Sequence, residues 1–210
     1  MSDNREPWLF PPARASRLES RDRAALLPWE KIALALGPGP GMAFGDLGAG
    51  PGIFCRKLLE TTRGQGRFAA VDSQEGMLEL LRRRRSSWMR EGVPGASLLR
   101  ILAAPKEPGS APPIPLADSS LDRALLIHLL HEIKDIPPYL RDLRRVMRPW
   151  GRALIIDWAA AGDPHLMGQS GPPLWSRISR AKTEGILRSA GFSMVREVPG
   201  FPHGWALLVA

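Results

Sequence analysis

The sequence predicts one α/β domain in which a mainly parallel sheet is covered by helices on both faces. Three observations lead to this prediction. Short apolar runs alternate with amphipathic segments along most of the 210 residues, which is the pattern of strand–helix–strand units. A glycine-rich segment follows the first apolar run. Two apolar runs joined by a short turn end the sequence, which predicts a β-hairpin at one edge of the sheet.

The elements follow from these patterns in chain order. Residues 1–21 contain several prolines and are predicted to form an irregular arm, and residues 22–210 are predicted to form the domain. The predicted helices lie at 22–36, 52–62, 74–90, 136–147 and 180–190. The predicted strands lie at 42–47, 67–71, 97–102, 123–127, 152–157, 192–198 and 204–209. Two proline- and glycine-containing loops are predicted at 104–118 and 159–173, both after a strand, where open α/β sheets bind ligands.

Composition excludes some classes of protein. Hydrophobic residues make up 44% of the chain, enough for a sizeable core, and no apolar stretch is long enough to span a membrane. The single cysteine, Cys55, cannot form an internal disulfide, and the N-terminus has no apolar run typical of a signal peptide. We therefore expect a cytoplasmic protein.

The net charge of +8 has two interpretations. Most of the cationic residues are arginines spread along the chain, and the one dense run is Arg82 to Arg85. Solvated helix faces explain such a distribution better than a nucleic-acid surface does, although a basic surface also suits an RNA ligand.

The segment from Asp46 to Gly52 carries the main binding motif. Its glycines permit a tight turn and the close approach of a ligand to the backbone, and the next helix begins there. The spacing is G-x-G-x-G, whereas a dinucleotide site requires G-x-G-x-x-G. Asp46 precedes the turn, and its carboxylate suits the α-ammonium group of a methionine moiety but would repel a pyrophosphate.

A second acidic residue, Asp72, ends the second predicted strand about 20 residues after the turn. A carboxylate at this place can accept hydrogen bonds from both hydroxyls of a ribose. The alternative is that Asp72 belongs only to the N-cap region of the following helix.

With these motifs the sequence resembles the class I S-adenosylmethionine-dependent methyltransferases, and more narrowly their ubiquinone/menaquinone-biosynthesis-type branch. The resemblance runs in order through roughly residues 10–210. Its motifs are the segments 46–52, 71–73 with 77–78, 143–152, 190–192, and 171–173 with 177–179.

The resemblance implies a Rossmann-like sheet of seven strands in the order 3-2-1-4-5-7-6, with the last strand antiparallel. It implies S-adenosyl-L-methionine as cofactor and S-adenosyl-L-homocysteine as product. The residues expected to bind the cofactor are Asp46, Gly48, Ala49, Gly50, Gly52, Asp72, Ser73, Met77, Ala103, Ala104, Ile127 and His128.

Three positions depart from the family pattern. The acidic residue common after the third strand is replaced by Ala103-Ala104-Pro105, so a side-chain contact to the adenine amino group is in doubt. Pro51 and Trp150 stand where threonine and glycine are usual.

Candidate catalytic residues follow the fourth predicted strand. Methyl transfer mainly requires positioning of the nucleophile, and a general base is needed only when the acceptor must lose a proton. His131, Glu132 and His128 are the candidates for that base. The alternative is that His131 and Glu132 cap or orient the next helix. No metal site is expected, because the H-x-x-H-E order is not that of a zinc helix, and buried packing is expected for Cys55.

The acceptor pocket is expected between the N-terminal arm and the loop after the fifth strand. Its candidate lining residues are Trp8, Phe10, Trp158, Trp175 and Arg177, each of which could equally serve ordinary packing. The expected partner is a small-molecule substrate, and no association with a membrane is expected. An exposed apolar arm would permit a homodimer. Nucleic acid is a less favoured partner.

The leading functional hypothesis is therefore methyl transfer to a small molecule. The alternatives are an RNA or protein methyltransferase that uses the basic surface, a cofactor-binding interaction protein without catalysis, and a nicotinamide-dependent dehydrogenase. The glycine spacing and Asp46 argue against the last.

Overall fold

The computed structural model describes residues 8–105, 113–161 and 171–210. Its helices are α1 (Arg21–Leu26), α2 (Trp29–Leu36), α3 (Ile53–Thr61), α4 (Glu75–Arg90), α5 (Ile136–Val146) and α6 (Arg180–Ser189). Its strands are β1 (Ala43–Leu47), β2 (Arg67–Asp72), β3 (Leu99–Ala103), β4 (Leu121–Ile127), β5 (Met147–Trp158), β6 (Val195–Glu197) and β7 (Gly204–Val209). Short 3₁₀ helices lie at Pro12–Glu19, Ala96–Leu98, Leu130–Glu132 and Leu174–Ser176.

The seven strands form one sheet in the order β3-β2-β1-β4-β5-β7-β6. Strands β1 to β5 pair in parallel, whereas β7 is antiparallel to both β5 and β6. The predicted strand order, the parallel sheet and the closing hairpin are confirmed.

Successive side chains of a strand point to opposite faces, so a sheet buried on both faces needs apolar residues at nearly every position. In β4, Leu125 and Ile127 pack into the core beneath α2, α3 and α4. Ala124 and Leu126 pack into the core beneath α5 and α6. The helices therefore cover both faces, and the polar ends of the strands are left for the site.

Some predicted boundaries are wrong, each for a local physical reason. The single helix predicted at 22–36 is two helices, because Pro28 lies between α1 and α2 and is the N-cap residue of α2. The arm is not irregular throughout, because Pro12 begins a 3₁₀ helix that runs to Glu19. Strand β5 begins at Met147 instead of 152, since Met147 already pairs with Leu121 of β4.

The last corrections concern β6 and the loops. The strand predicted at 192–198 covers only Val195–Glu197. Phe192 is buried by the end of α6, where its N–H donates to the carbonyl of Leu187, so its apolar character does not mark a strand. The parts of the two predicted loops at 106–112 and 162–170 lie outside the described residues, as do residues 1–7 of the arm.

Candidate active site

A cleft of about 1530 Å³ lies over the carboxyl ends of the parallel strands. Its walls come from the arm, the glycine-rich turn after β1 and the segments that follow β2 and β4. This is the place where open α/β sheets bind their ligands, because the loops at the strand ends leave a crevice between them.

The glycine-rich turn is held against the end of β2. Gly48, Gly50 and Gly52 all have positive φ angles, which favour glycine. The N–H groups of Gly48 and Ala49 donate to the carbonyl of Val71 at 2.8 and 3.0 Å. The turn and the end of β2 therefore form one unit at the floor of the cleft.

Asp72 completes this unit. One carboxylate oxygen accepts the N–H of Gly50 at 2.8 Å, and the other accepts the N–H of Gln74 at 2.9 Å. Burial raises the pKa of Asp72, although these backbone donors oppose the shift. Asp72 thus has a structural role in shaping the turn, and each of its oxygens keeps a further lone pair for a ligand in the cleft.

Asp46 lies below the cleft lining rather than in it. Its carboxylate is buried and accepts the S–H of Cys55 at 3.1 Å. Burial raises the pKa of Asp46 to about 6 and the pKa of the Cys55 thiol well above its ordinary value. Cys55 is buried, as expected from the sequence.

Arg23 of α1 is a cleft residue that the sequence analysis did not identify. Its guanidinium donates to the carbonyl of Leu18 at 3.1 Å and lies 5.9 Å from the ring centroid of Phe54. Burial lowers the pKa of Arg23 to about 10, and the charge of Asp46 opposes that shift. A cationic side chain in the cleft lining therefore interacts electrostatically with the carboxylate of Asp46, which is buried beneath that lining.

The imidazole of His131 is paired with a carboxylate of strand β5. Its Nδ1 lies 2.7 Å from Oδ1 of Asp157, and its main-chain N–H donates to Oδ2 of the same residue at 3.2 Å. Burial lowers the pKa of His131, but Asp157 outweighs burial and the net shift is upward. Burial likewise acts to raise the pKa of Asp157, but the contact with His131 holds it below its ordinary value.

Glu132 lies beside this pair. Its Oε1 is 3.7 Å from Nε2 of His131 and accepts the N–H of Phe10 at 3.0 Å. Burial raises the pKa of Glu132 to about 7. Among the described residues, no hydrogen bond joins His131 or Glu132 to the first turn of α5, and the side chain of its N-cap residue, Asp135, makes no capping hydrogen bond.

His128 belongs to the wall of the cleft. It turns the chain at the end of β4 with a φ of 56° and stacks on Trp158 with ring centroids 4.4 Å apart. Burial lowers the pKa of His128 well below its ordinary value. The guanidinium of Arg177 lies on the Trp158 ring, 5.6 Å from its centroid.

The arm crosses above these groups. Phe10 donates its N–H to Glu132, and its carbonyl accepts the side-chain amide of Gln74 at 3.1 Å. The Trp8 ring lies over the His131 imidazole with centroids 5.8 Å apart. The arm thereby joins the segment after β2 to the segment after β4.

The structure places most of the predicted site residues around this one cleft. Those that line it are Trp8, Phe10, Gly48, Ala49, Gly50, Asp72, Ser73, Met77, Ala104, Ile127, His128, His131, Glu132 and Trp158. Those outside the lining are Asp46, Gly52, Ala103, Trp175 and Arg177. Among the described residues, no group of three or more His, Cys, Asp or Glu side chains is placed to hold a metal ion.

Comparison with known proteins identifies the fold and its relatives. The sequence profile of the family described as "Methyltransferase domain" matches residues 45–155. The chain is 28% identical over 139 residues to a 2-phytyl-1,4-naphtoquinone methyltransferase of Synechococcus elongatus, covering 66% of this chain and 55% of the relative. It is 28% identical over 144 residues to a ubiquinone/menaquinone biosynthesis C-methyltransferase of Paracoccus denitrificans, covering 69% and 51%. The chain therefore spans about half the length of these curated relatives.

A solved structure is similar over nearly the whole chain. It is described as a SAM dependent methyltransferase from Aquifex aeolicus and superposes with a TM-score of 0.79 at 25% identity. The match covers 96% of this chain and 98% of the other.

No helix in the described part of the chain is long and apolar enough to cross a membrane.

Proposed function

Since the chain belongs to the methyltransferase domain family, we propose that it transfers the methyl group of S-adenosylmethionine to a small-molecule acceptor. The family match confirms the resemblance predicted from the sequence. The single observation that carries the proposal is the cleft in which the glycine-rich turn, Asp72 and the His131–Asp157 pair meet. Its volume of about 1530 Å³ exceeds the range of roughly 300–1,000 Å³ for small-molecule sites, which suits a cofactor and an acceptor together.

The residues at the turn fit the chemistry of this cofactor. A methionine moiety carries an α-carboxylate and an α-ammonium. Arg23 in the cleft lining offers a cation for the carboxylate, and Asp46, buried beneath the lining, contributes negative charge near the ammonium. Asp72 would accept hydrogen bonds from the ribose hydroxyls, while Met77, Ala104 and Ile127 offer apolar surface for the adenine. When bound, the cofactor supplies an activated methyl group on a sulfonium.

The other end of the cleft would hold the acceptor. We assign residues 1–21 as the N-terminal arm and residues 22–210 as the domain, and within the arm Phe10 supports this division by its hydrogen bonds to both sides of the cleft. His131 is the proton acceptor when the acceptor must be deprotonated, and Glu132 contacts it. His128 orients the wall through its stacking on Trp158.

The first test is a calorimetric titration with S-adenosylmethionine and S-adenosylhomocysteine. We expect micromolar binding that Asp72→Ala weakens by tenfold or more, about 1.4 kcal/mol. Asp118→Ala removes an exposed carboxylate outside the cleft and is expected to leave binding unchanged. Circular dichroism checks that each variant is folded. Absence of binding by the wild-type protein would overturn the proposal.

Two arginines of α1 give a matched test of the methionine end. Arg23 lines the cleft, whereas Arg21 is exposed and lies outside the lining. Arg23→Met is expected to weaken cofactor binding tenfold or more, about 1.4 kcal/mol, and Arg21→Met to change it little. Equal effects of the two variants would remove Arg23 from the cofactor site.

The proposed partner is the small molecule rather than nucleic acid. Arg82 pairs with Glu75, Arg83 with Glu79 and Arg84 with Glu19, so the dense arginine run is largely neutralised on the protein itself. A homodimer through the arm is a separate proposal, supported by the exposed Leu9, and sedimentation would test it. The proposed compartment is the cytoplasm, supported by the free thiol of Cys55.

A further inference from the structure

The orientation of His131 is fixed by Asp157, a residue that the sequence analysis read only as the end of a strand. Both oxygens of the Asp157 carboxylate contact His131, one at Nδ1 and the other at the main-chain N–H. An ionised carboxylate can only accept hydrogen bonds, so Nδ1 of the neutral imidazole carries the proton. The lone pair of His131 is therefore on Nε2.

Nε2 of His131 is the ring atom that remains available. His131 lines the cleft, and no hydrogen bond in the described part of the chain uses Nε2. The carboxylate oxygen of Glu132 is 3.7 Å away, beyond hydrogen-bond distance. A basic nitrogen held at this place can accept a proton from a ligand in the cleft.

Tyr139 of α5 provides a neutral donor in the same cleft. Its side chain is 8% exposed and lines the cleft, and its hydroxyl makes no hydrogen bond to the described residues. Burial raises the pKa of Tyr139 above its ordinary value, so the hydroxyl stays protonated. Tyr139 is not among the described residues whose side-chain polar atoms are buried without a partner, so its hydroxyl is accessible from the cleft and can donate to a ligand there.

The aromatic side chains around these groups favour a flat acceptor. The stacked rings of His128 and Trp158 form one wall, and Trp8 and Phe10 of the arm contact each other edge to face above it. Aromatic side chains bind planar rings by stacking. The carboxylates of Asp72 and Glu132 in the lining are accompanied by cationic side chains such as Arg14 and Arg23, so the charge of the lining does not select between anionic and cationic acceptors.

We propose that the acceptor is an aromatic molecule with a hydroxyl group, and that Asp157 is a positioning residue that holds His131 to accept the hydroxyl proton. This inference rests on the proposed methyl transfer and names its substrate class. Tyr139 donates a hydrogen bond that binds the acceptor. The hydroxyl proton passes to Nε2 of His131, the acceptor oxygen bonds to the methyl carbon, and the electron pair of the broken carbon–sulfur bond stays on sulfur.

The tautomer of His131 gives a test that needs no turnover. Nitrogen-15 NMR of the four histidine side chains, assigned with His131→Gln and His203→Gln, reports which ring nitrogen carries the proton. At a pH above the pKa of His131, where the imidazole is neutral, we expect Nδ1–H in the wild-type protein and a change of tautomer in Asp157→Asn, because an amide can donate to Nδ1. Nε2–H in the wild type, or no change in Asp157→Asn, would overturn the positioning role.

The second test measures proton transfer from a ligand. The probe is 7-hydroxycoumarin, whose anion has its own absorption band, bound to protein saturated with S-adenosylhomocysteine. We expect the bound probe to ionise about one pH unit below the free probe or lower. His131→Gln and Asp157→Asn should lose this shift, whereas Tyr139→Phe should weaken binding about fivefold and keep it.

Each outcome of this second test decides one part of the inference. A probe that binds the wild type without ionising would overturn the role of His131, and no binding at millimolar probe would overturn the substrate class. Calorimetry with S-adenosylhomocysteine separates the inference from the proposed function, since Asp157→Asn should retain that binding. If the wild type fails to bind S-adenosylhomocysteine, the proposed function fails, and the tautomer result still stands by itself.

Discussion

Replacement of Gly52 by alanine tests how the glycine-rich turn is joined to the helices below it. Gly52 has a φ of +85°, and a Cβ built there would lie 2.2 Å from Cδ1 of Leu81 and 2.9 Å from Cη2 of Trp88. Leu81 is fully buried and Trp88 is 4% exposed, so making room for a Cβ requires repacking of core side chains. The turn can therefore sit this close to α4 only with glycine at this position.

The expected cost has two parts. A left-handed backbone costs an L-residue roughly 1–2 kcal/mol, and an extra methyl group in a packed core costs roughly 1–3 kcal/mol. Together they predict that Gly52→Ala lowers the free energy of unfolding by roughly 2–5 kcal/mol. Gly92 is the matched control, because its φ is +74° and a Cβ there would meet nothing within 4 Å. Gly92→Ala should cost only the backbone part, roughly 1–2 kcal/mol.

Urea unfolding followed by tryptophan fluorescence measures both variants under one condition. If Gly52→Ala costs no more than Gly92→Ala, the packing argument is refuted. The double variant Gly52→Ala, Leu81→Ala adds a check, since truncation of Leu81 removes the closest clash. We expect the double variant to be less destabilised than the two single variants would give by addition.

Three further predictions follow from the buried groups and the charged surface. Burial raises the pKa of Asp46 from 3.8 to about 6, so the folded state binds the extra proton and the free energy of unfolding falls as the pH rises between those values. Asp46→Asn should remove this pH dependence of the free energy of unfolding and be more stable at neutral pH by at most about 3 kcal/mol. Urea titrations at several pH values in this range measure it, and the same pH dependence in both proteins would contradict the reasoning. The thiol of Cys55 is buried with a raised pKa, so we expect Ellman's reagent to label it only as fast as the protein unfolds, and rapid labelling of the folded protein would argue against this. Arg83 is paired with Glu79, so Arg83→Gln should change retention on RNA less than twofold across a salt series, and a large loss would favour the nucleic-acid alternative.

The fold could be predicted from the sequence because its signals are local and repeated. A strand that is buried on both faces appears in the sequence as a continuous run of apolar residues. The last two apolar runs are separated by a short turn, which predicts a hairpin. The boundaries were less predictable because they depend on contacts distant in sequence. Met147 is in β5 since it pairs with Leu121, and Phe192 is not in β6 since α6 covers it.

The site likewise contains some residues whose proximity the sequence predicts and others whose contacts it does not. The glycine-rich turn and Asp72 have a fixed spacing, so the sequence could place them together. The contact of Asp157 with His131 joins residues 26 positions apart on different elements. One signal was present, because an acidic residue ends the apolar run of β5 just as Asp72 ends β2. Arg23 gave no such signal, since arginines are spread along the whole chain.

The arm connects the two ends of the cleft through Phe10. Its N–H donates to Glu132 after β4, and its carbonyl accepts from Gln74 after β2, so one residue of the arm links the segments that follow these two strands. Two such hydrogen bonds contribute roughly 1–3 kcal/mol in total, which is the strength of this connection between the two segments. In the same arrangement the Trp8 ring lies beside the His131 imidazole, with ring centroids 5.8 Å apart. The ends of the strands therefore supply the floor of the cleft, and the arm supplies one of its walls.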